Sequence, residues 1–127
     1  MLNQNNIVTL GIASNEVAEV AEIGAETASN WLCSGEGLLL DVREQVELEI
    51  EWIPGATAMP LSKFNPNAVA DMGMRKIMVI CQTGRRSKEA AEKLLDFGLL
   101  GVYNVKDGLL AWNAAGLTSV NQSALLI

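Results

Sequence analysis

Two apolar runs that each end at a polar or reactive side chain constrain the fold of this 127-residue chain most strongly. Leu38–Leu40 leads into Asp41, and Ile77–Ile80, the apolar part of a strand predicted over 76–80, leads into Cys81. Short continuous apolar runs are typical of buried parallel strands. Since helical patterns alternate with the strand patterns, the sequence predicts an α/β fold. Ligands of parallel sheets bind beyond the carboxyl ends of the strands, so Asp41 and Cys81 are expected to share one crevice.

The other elements are predicted from apolar spacing and from glycine and proline positions. Strands are predicted over 20–23, 56–59 and 101–105, and helices over 25–32, 44–50, 88–97 and 108–115. Residues 61–74 are predicted to be loop with one helical turn. Ser87 is expected to cap the 88–97 helix, which Gly98 ends.

The chain has no histidine and only two cysteines, Cys33 and Cys81. This excludes Ser-His-Asp and Cys-His nucleophile pairs within the chain. It also argues against a disulfide framework or a zinc site, and no metal is expected. Cys33 lies beside Trp31 and Leu32 in a predicted helix and is therefore predicted to be a core residue. Trp112, on the last predicted helix, is likewise assigned to the core.

The net charge of −6 argues against nonspecific nucleic-acid binding and against binding to an anionic membrane surface. Six of the nine cations fall between Arg75 and Lys93, which indicates an anion-attracting mouth around Cys81. An ordinary mixed-charge helix face is the alternative. No apolar run approaches the ~20 residues of a membrane helix. The first six residues lack the basic and apolar parts of a secretory signal, so a cytoplasmic location is expected.

The segment from Cys81 to Ser87 is the strongest candidate site. A cysteine between a strand and a helix receives N–H groups from the loop and from the helix N-terminus, which favour a thiolate and a bound anion. Gly84 allows a conformation in which amides point inward. Arg86 offers a planar cation for an oxyanion. Arg85 either contacts the same ligand or is simply exposed.

The pattern Cys81-x-x-Gly84-x-Arg86-Ser87 resembles the active-site loop of rhodanese-like sulfurtransferases. Three further motifs match the family in order: Leu38–Glu44 with its Asp-Val-Arg, the Ile-Pro-Gly-Ala of 53–56, and Asp107–Trp112 followed by Ala115–Leu117. The resemblance implies a rhodanese-like domain over 19–118, with a central, mostly parallel sheet and helices on both faces. An N-terminal extension of unassigned role (1–18) and a C-terminal tail (119–127) flank it. Glu51-Trp52 stands where the family often has Gly-His.

The resemblance also implies a chemistry. The Cys81 thiolate would take a sulfane sulfur from a small anionic donor, such as thiosulfate, a polysulfide or a persulfide, and pass it to a thiol or a protein acceptor without a cofactor. The residues implied to surround the persulfide are Gln82, Thr83, Gly84, Arg85, Arg86 and Ser87. Asp41 and Arg43 are implied to support the site, Asp41 by anchoring the crevice or orienting Arg43, and Arg43 by pairing with an acid.

Two other functions remain open at this point. Rhodanese-like domains also serve as regulatory or protein-binding modules, usually when the cysteine is absent. Related phosphatases and arsenate reductases have an arginine six positions after the cysteine, where this chain has Ser87, so the shorter loop favours sulfur over phosphoryl transfer. A domain of this size is expected to be a monomer or a weak homodimer.

Overall fold

The structure is a computed structural model and describes residues 19–73 and 75–122. Its strands are β1 (Ala21–Ile23), β2 (Gly37–Asp41), β3 (Glu51–Trp52), β4 (Thr57–Ala58), β5 (Lys76–Ile80), β6 (Val102–Val105) and β7 (Val120–Asn121). Its α-helices are α1 (Ala25–Ser34), α2 (Gln45–Ile50), α3 (Pro66–Ala70), α4 (Arg85–Phe97) and α5 (Gly108–Ala114), with a 3₁₀ turn at Leu61–Lys63. The predicted N-terminal extension and residues 123–127 of the predicted tail lie outside the described residues.

Five parallel strands form the central sheet in the order β1-β6-β5-β2-β4. The two apolar runs are neighbours in this sheet, with Leu39 beside Met78 and Asp41 beside Ile80. Asp41 therefore ends its strand at the same edge of the sheet at which Cys81 follows β5. The predicted α/β class is confirmed.

Alternate residues of a strand point to opposite faces of the sheet, and here both sets are apolar. Helices therefore cover both faces. One buried cluster contains Leu38, Leu40, Ile77 and Val79 of the sheet with Val69 of α3 and Ala90, Ala91 and Leu94 of α4. The other contains Leu39, Met78 and Ile80 with Ala25 and Ala28 of α1 and Leu109 and Trp112 of α5. Trp112 is 2% exposed, and its Nε1 donates to the Thr118 carbonyl at 2.9 Å, so its predicted core position is confirmed.

The helix after Cys81 begins earlier than predicted. Gly84, with φ of 97°, precedes the first residue of α4, Arg85. A left-handed glycine lets the chain turn straight from the loop into the helix. Ser87 therefore lies inside the first turn and does not cap the helix, so the predicted start at 88 is wrong. Its hydroxyl is available to the loop instead.

Cys33 is exposed, and the prediction that it is a core residue is wrong. The buried residues of α1 are Ala25 and Ala28. At 3.6 residues per turn, a position five residues after Ala28 is rotated by about 140° from it. The neighbouring Trp31 and Leu32 are half-buried, which explains why the local composition suggested a core position.

A small antiparallel pair that the sequence did not predict joins β3 to β7, with Glu51 beside Asn121 and Trp52 beside Val120. The Ser119 hydroxyl donates to the Glu51 carboxylate at 2.7 Å and strengthens this connection. The pair fixes the segment just before the Ile-Pro-Gly-Ala turn. No helix within 19–73 or 75–122 has both the length and the apolar character needed to cross a membrane.

Candidate active site

Cys81 lies at the carboxyl end of the central strand β5 and is 1% exposed. The strand before it is apolar and buried, so the cysteine is held by the core of the molecule. The N-terminus of α5 fixes the loop that follows. The Leu109 amide donates to the Cys81 carbonyl at 2.8 Å, and the Leu110 amide donates to the Gln82 carbonyl at 3.2 Å. These two hydrogen bonds tie the loop to the first turn of α5.

Gly108 makes this close approach possible. Its φ is +53°, and a Cβ there would overlap the Cys81 carbonyl oxygen and come within 2.8 Å of the Gln82 backbone. Any side chain at this position would push α5 off the loop. The glycine of the Asp107–Trp112 motif thus has a physical role in shaping the cysteine loop.

Two donors point at the Cys81 sulfur. The Gly84 amide lies 3.1 Å from Sγ, and the Ser87 hydroxyl lies 3.3 Å from it. Burial raises the pKa of the Cys81 thiol, but the Ser87 hydroxyl and three backbone amides outweigh burial, so the pKa lies below its ordinary value. Those amides belong to Ser87, Gly84 and Thr83. The loop therefore favours a thiolate without any histidine.

A buried polar network continues from Ser87 to β6 and β1. The Ser87 hydroxyl makes a short hydrogen bond to Oδ1 of Asn104, which is 2% exposed. Asn104 Nδ2 donates to the Gly84 carbonyl at 3.1 Å and to the Glu22 carboxylate oxygens at 3.1 and 3.2 Å. Neither Asn104 nor Glu22 was predicted from the sequence to belong to the site. The one available signal was an asparagine within the apolar pattern of the predicted strand 101–105.

Arg86 forms a two-point ion pair with Glu47 of α2. Nη1 and Nη2 lie 2.7 and 2.9 Å from the two carboxylate oxygens. Hydrogen bonds from Arg86 are the main reason that the pKa of Glu47 falls to about 2. The Glu44 amide also donates to Glu47, in the capping box that begins α2. The guanidinium expected to bind an oxyanion therefore already has a carboxylate partner, whereas Arg85 is exposed.

Asp41 and Arg43 form a buried ion pair, and the side chains are 2% exposed in both cases. Arg43 Nε lies 3.0 Å and Nη2 lies 2.8 Å from the Asp41 carboxylate. Nη2 also donates to the Glu51 carbonyl at 2.9 Å. Asp41 thus orients Arg43, and Arg43 pairs with an acid to fix the segment after β2. Asp41 also lines a cavity of about 180 Å³ with Leu48, Trp52, Ile53, Ala56 and Ala58.

The cations between Arg75 and Lys93 do not all surround Cys81. Lys76 begins β5, about 16 Å from Cys81 at the usual rise of a strand. It lies 3.5 Å from the Glu36 carboxylate and 5.0 Å from the centre of the Trp31 ring. A cavity of about 790 Å³ at this opposite end of the sheet is lined by Glu36, Arg75 and Lys76 among others. The positive charge at the loop itself comes from Arg85 and Arg86.

Within the described part of the chain, no three His, Cys, Asp or Glu side chains are grouped so that they could hold a metal ion. The chemistry that this arrangement offers is that of a single thiolate. The sulfur lies within hydrogen-bond distance of an amide and a hydroxyl, and Arg86, which has a carboxylate partner, lies in the first turn of the helix that follows the loop.

A sequence model of the rhodanese-like domain matches residues 24–115. The chain belongs to the rhodanese-like domain family. The Cys81 loop, the Asp41–Arg43 pair and the α5 motif all lie inside the matched segment. The fold agrees, since a rhodanese-related protein of Thermoplasma volcanium superposes with a TM-score of 0.69 at 29% identity, covering 79% of this chain and 97% of that one.

Two curated relatives carry names that refer to sulfur. A protein of Allochromatium vinosum named sulfurtransferase is 32% identical over 103 residues, which cover 80% of this chain and 95% of the relative. A putative sulfur carrier protein of Bacillus subtilis is 35% identical over 101 residues, 79% of this chain and 55% of the relative. The chain spans about half the length of the Bacillus protein and of one other curated relative.

Proposed function

We propose that this chain is a sulfurtransferase that carries a sulfane sulfur as a persulfide on Cys81. The observation that supports this most directly is the environment of Sγ, which lies 3.1 Å from the Gly84 amide and 3.3 Å from the Ser87 hydroxyl. These donors stabilise negative charge on a sulfur that is otherwise buried. The names of the Allochromatium and Bacillus relatives support the same kind of reaction.

The reaction has two balanced steps. The Cys81 thiolate attacks the outer sulfur of the donor, a new S–S bond forms, and the donor's bond to that sulfur breaks. The leaving group departs with the electron pair, as sulfite from thiosulfate or as a thiolate from a persulfide. An acceptor thiolate then attacks the outer sulfur of Cys81, and the Cys81 thiolate is regenerated. The two steps together need no oxidant or reductant.

The loop stabilises the persulfide as an oxyanion hole stabilises an acyl intermediate. The amides of Thr83, Gly84 and Ser87 hydrogen-bond to the sulfur, while α5 holds the carbonyls of Cys81 and Gln82 in hydrogen bonds of their own. The small anionic donor binds through its charged end. Glu47 uses two of the five N–H donors of Arg86, which leaves others for that end, and the exposed Arg85 adds a second cation.

Turnover with a panel of donors tests the proposal. Thiosulfate, a polysulfide and a low-molecular-weight persulfide are each offered with a thiol acceptor, and sulfide or the acceptor persulfide is measured. The Cys33→Ser variant should turn over like the unaltered protein, and Cys81→Ser should be inactive. No turnover with any donor would instead support a regulatory or protein-binding module. Cys81-dependent hydrolysis of a phosphotyrosine mimic would support a phosphatase.

A further inference from the structure

The side-chain amide of Asn104 has one possible orientation. The Glu22 carboxylate and the Gly84 carbonyl lie 3.1–3.2 Å from Nδ2, and both groups can only accept hydrogen bonds. A flipped amide would place its oxygen against three other oxygens. Oδ1 of Asn104 must therefore face Ser87, and the Ser87 hydroxyl must be the donor in the bond between them.

Ser87 has a single hydroxyl proton and two acceptors for it. One is Asn104 Oδ1, and the other is Cys81 Sγ at 3.3 Å. When Cys81 is a neutral thiol, its S–H donates to Ser87 Oγ and Ser87 donates to Asn104, so every group has a partner. When Cys81 is a thiolate, Sγ and Asn104 Oδ1 compete for the hydrogen bond from the single Ser87 hydroxyl proton. Turning the hydroxyl toward sulfur then leaves a buried Oδ1 without a donor, which costs free energy.

We propose that Asn104 is a positioning residue that competes with Cys81 for the hydroxyl proton of Ser87 and so restrains ionisation of the thiol. The proposal rests on the proposed function in taking Cys81 as the nucleophile. Glu22 contributes from the edge strand β1, since its carboxylate holds the Asn104 amide in the competing orientation. Ser87 and Asn104, which touch each other, therefore act in opposite directions on the same thiol.

The charged side chains on the elements around the loop must be the same in every variant. They are Arg85 and Arg86 on α4, Glu47 on α2 and Glu44 before it, Glu22 on β1, Asp41 at the end of β2, Arg43 after it, and Lys106 and Asp107 before α5. All of them remain when Ser87 or Asn104 is replaced. Differences in thiol pKa among these variants consequently report on the hydrogen bonds and not on the surrounding charge.

The test is the pH dependence of Cys81 alkylation by iodoacetamide, measured in the Cys33→Ser background without any sulfur donor. Ser87→Ala should raise the thiol pKa by about one unit, because a donor to the thiolate is lost. Asn104→Ala should lower it by about half a unit to one unit, because the competing acceptor is lost.

The double variant Ser87→Ala/Asn104→Ala completes a cycle. Without the hydroxyl there is nothing to compete for, so Asn104→Ala should have no effect in that background. An equal shift in both backgrounds would overturn the proposal, as would a rise of the thiol pKa in Asn104→Ala. If Asn104→Ala does not fold, Asn104→Val lacks an acceptor too and suits a strand. Because no sulfur donor is used, the measured thiol pKa does not depend on whether the protein transfers sulfur.

Discussion

Arg86 on α4 and Glu47 on α2 are joined at two points, with N–O distances of 2.7 and 2.9 Å. The pair ties the first turn after the Cys81 loop to the helix that follows β2. Both side chains are about 30% exposed, so the contact is accessible from solvent. A donor with a charged end must therefore share the guanidinium with Glu47 or displace that carboxylate.

Glu47→Gln should make the site bind a doubly charged donor more tightly. The substitution removes the negative charge that competes for Arg86, so KM for thiosulfate should fall several-fold, with a smaller effect on a singly charged persulfide. Glu49→Gln is the matched control, since it removes the same charge from the exposed side of α2. Steady-state kinetics with both donors measures the effect. Equal changes in the two variants would show a general charge effect and count against a role of Arg86 in donor binding.

The same pair predicts how stability depends on pH. The pKa of Glu47 is lowered from 4.5 to about 2 in the folded protein. Its stabilisation is therefore present above the unfolded value and is lost as pH falls through 4.5 toward 2. Urea unfolding from pH 7 to 2.5 should show an acid-dependent loss of about 1–2 kcal/mol that Glu47→Gln removes. Parallel pH curves for the two proteins would contradict this prediction.

Removing only one partner of the buried Asp41–Arg43 ion pair should lower the stability of the protein strongly. Asp41→Ala leaves the Arg43 guanidinium buried without its counter-charge, and such a loss typically costs about 3–5 kcal/mol. Urea denaturation measures it. The exposed Lys76–Glu36 pair provides a comparison, since Glu36→Gln should cost less than about 1 kcal/mol. Similar losses of stability in the two variants would mean that burial does not determine how much an ion pair contributes to stability.

The shape of the cysteine loop should depend on Gly108. Gly108→Ala places a methyl group against the Cys81 carbonyl, so it should lower stability and also shift the thiol pKa as the loop is displaced. Gly116→Ala is the control, because Gly116 also has a positive φ, of 73°, but open space around it. That variant should cost about 1 kcal/mol from backbone strain and leave the thiol pKa unchanged. Unchanged alkylation of Gly108→Ala would contradict the role assigned to α5.

Much of the fold could be predicted because its signals are local. The apolar runs before Asp41 and Cys81, and the turn residues between elements, are visible in the sequence and correctly indicate parallel strands. The β3–β7 pair could not be predicted, because two-residue strands have no period and are set by distant contacts. Cys33 was assigned to the core from its neighbours, although its rotation about α1 exposes it.

The loop that contains Cys81 could be recognised from the sequence as the candidate site, but its partners could not. The partners of that loop come from residues distant in sequence, such as Glu47 for Arg86 and Asn104 for Ser87, and no local pattern indicates which acid or amide will face them. The start of α4 was missed for a related reason, since Ser87 resembles a helix cap until Gly84 is seen to begin the turn. Sulfur donor, acceptor, cytoplasmic location and oligomeric state stay predictions.

Cys81 itself is proposed to carry the transferred sulfur. The direct measurement is intact-protein and peptide mass spectrometry after brief exposure to each donor, with the excess donor removed before analysis. We expect a gain of one sulfur atom on Cys81 in the unaltered protein and in Cys33→Ser, reversed by a thiol acceptor and absent in Cys81→Ser. A gain only on Cys33, or no gain with thiosulfate, a polysulfide or a persulfide, would contradict it.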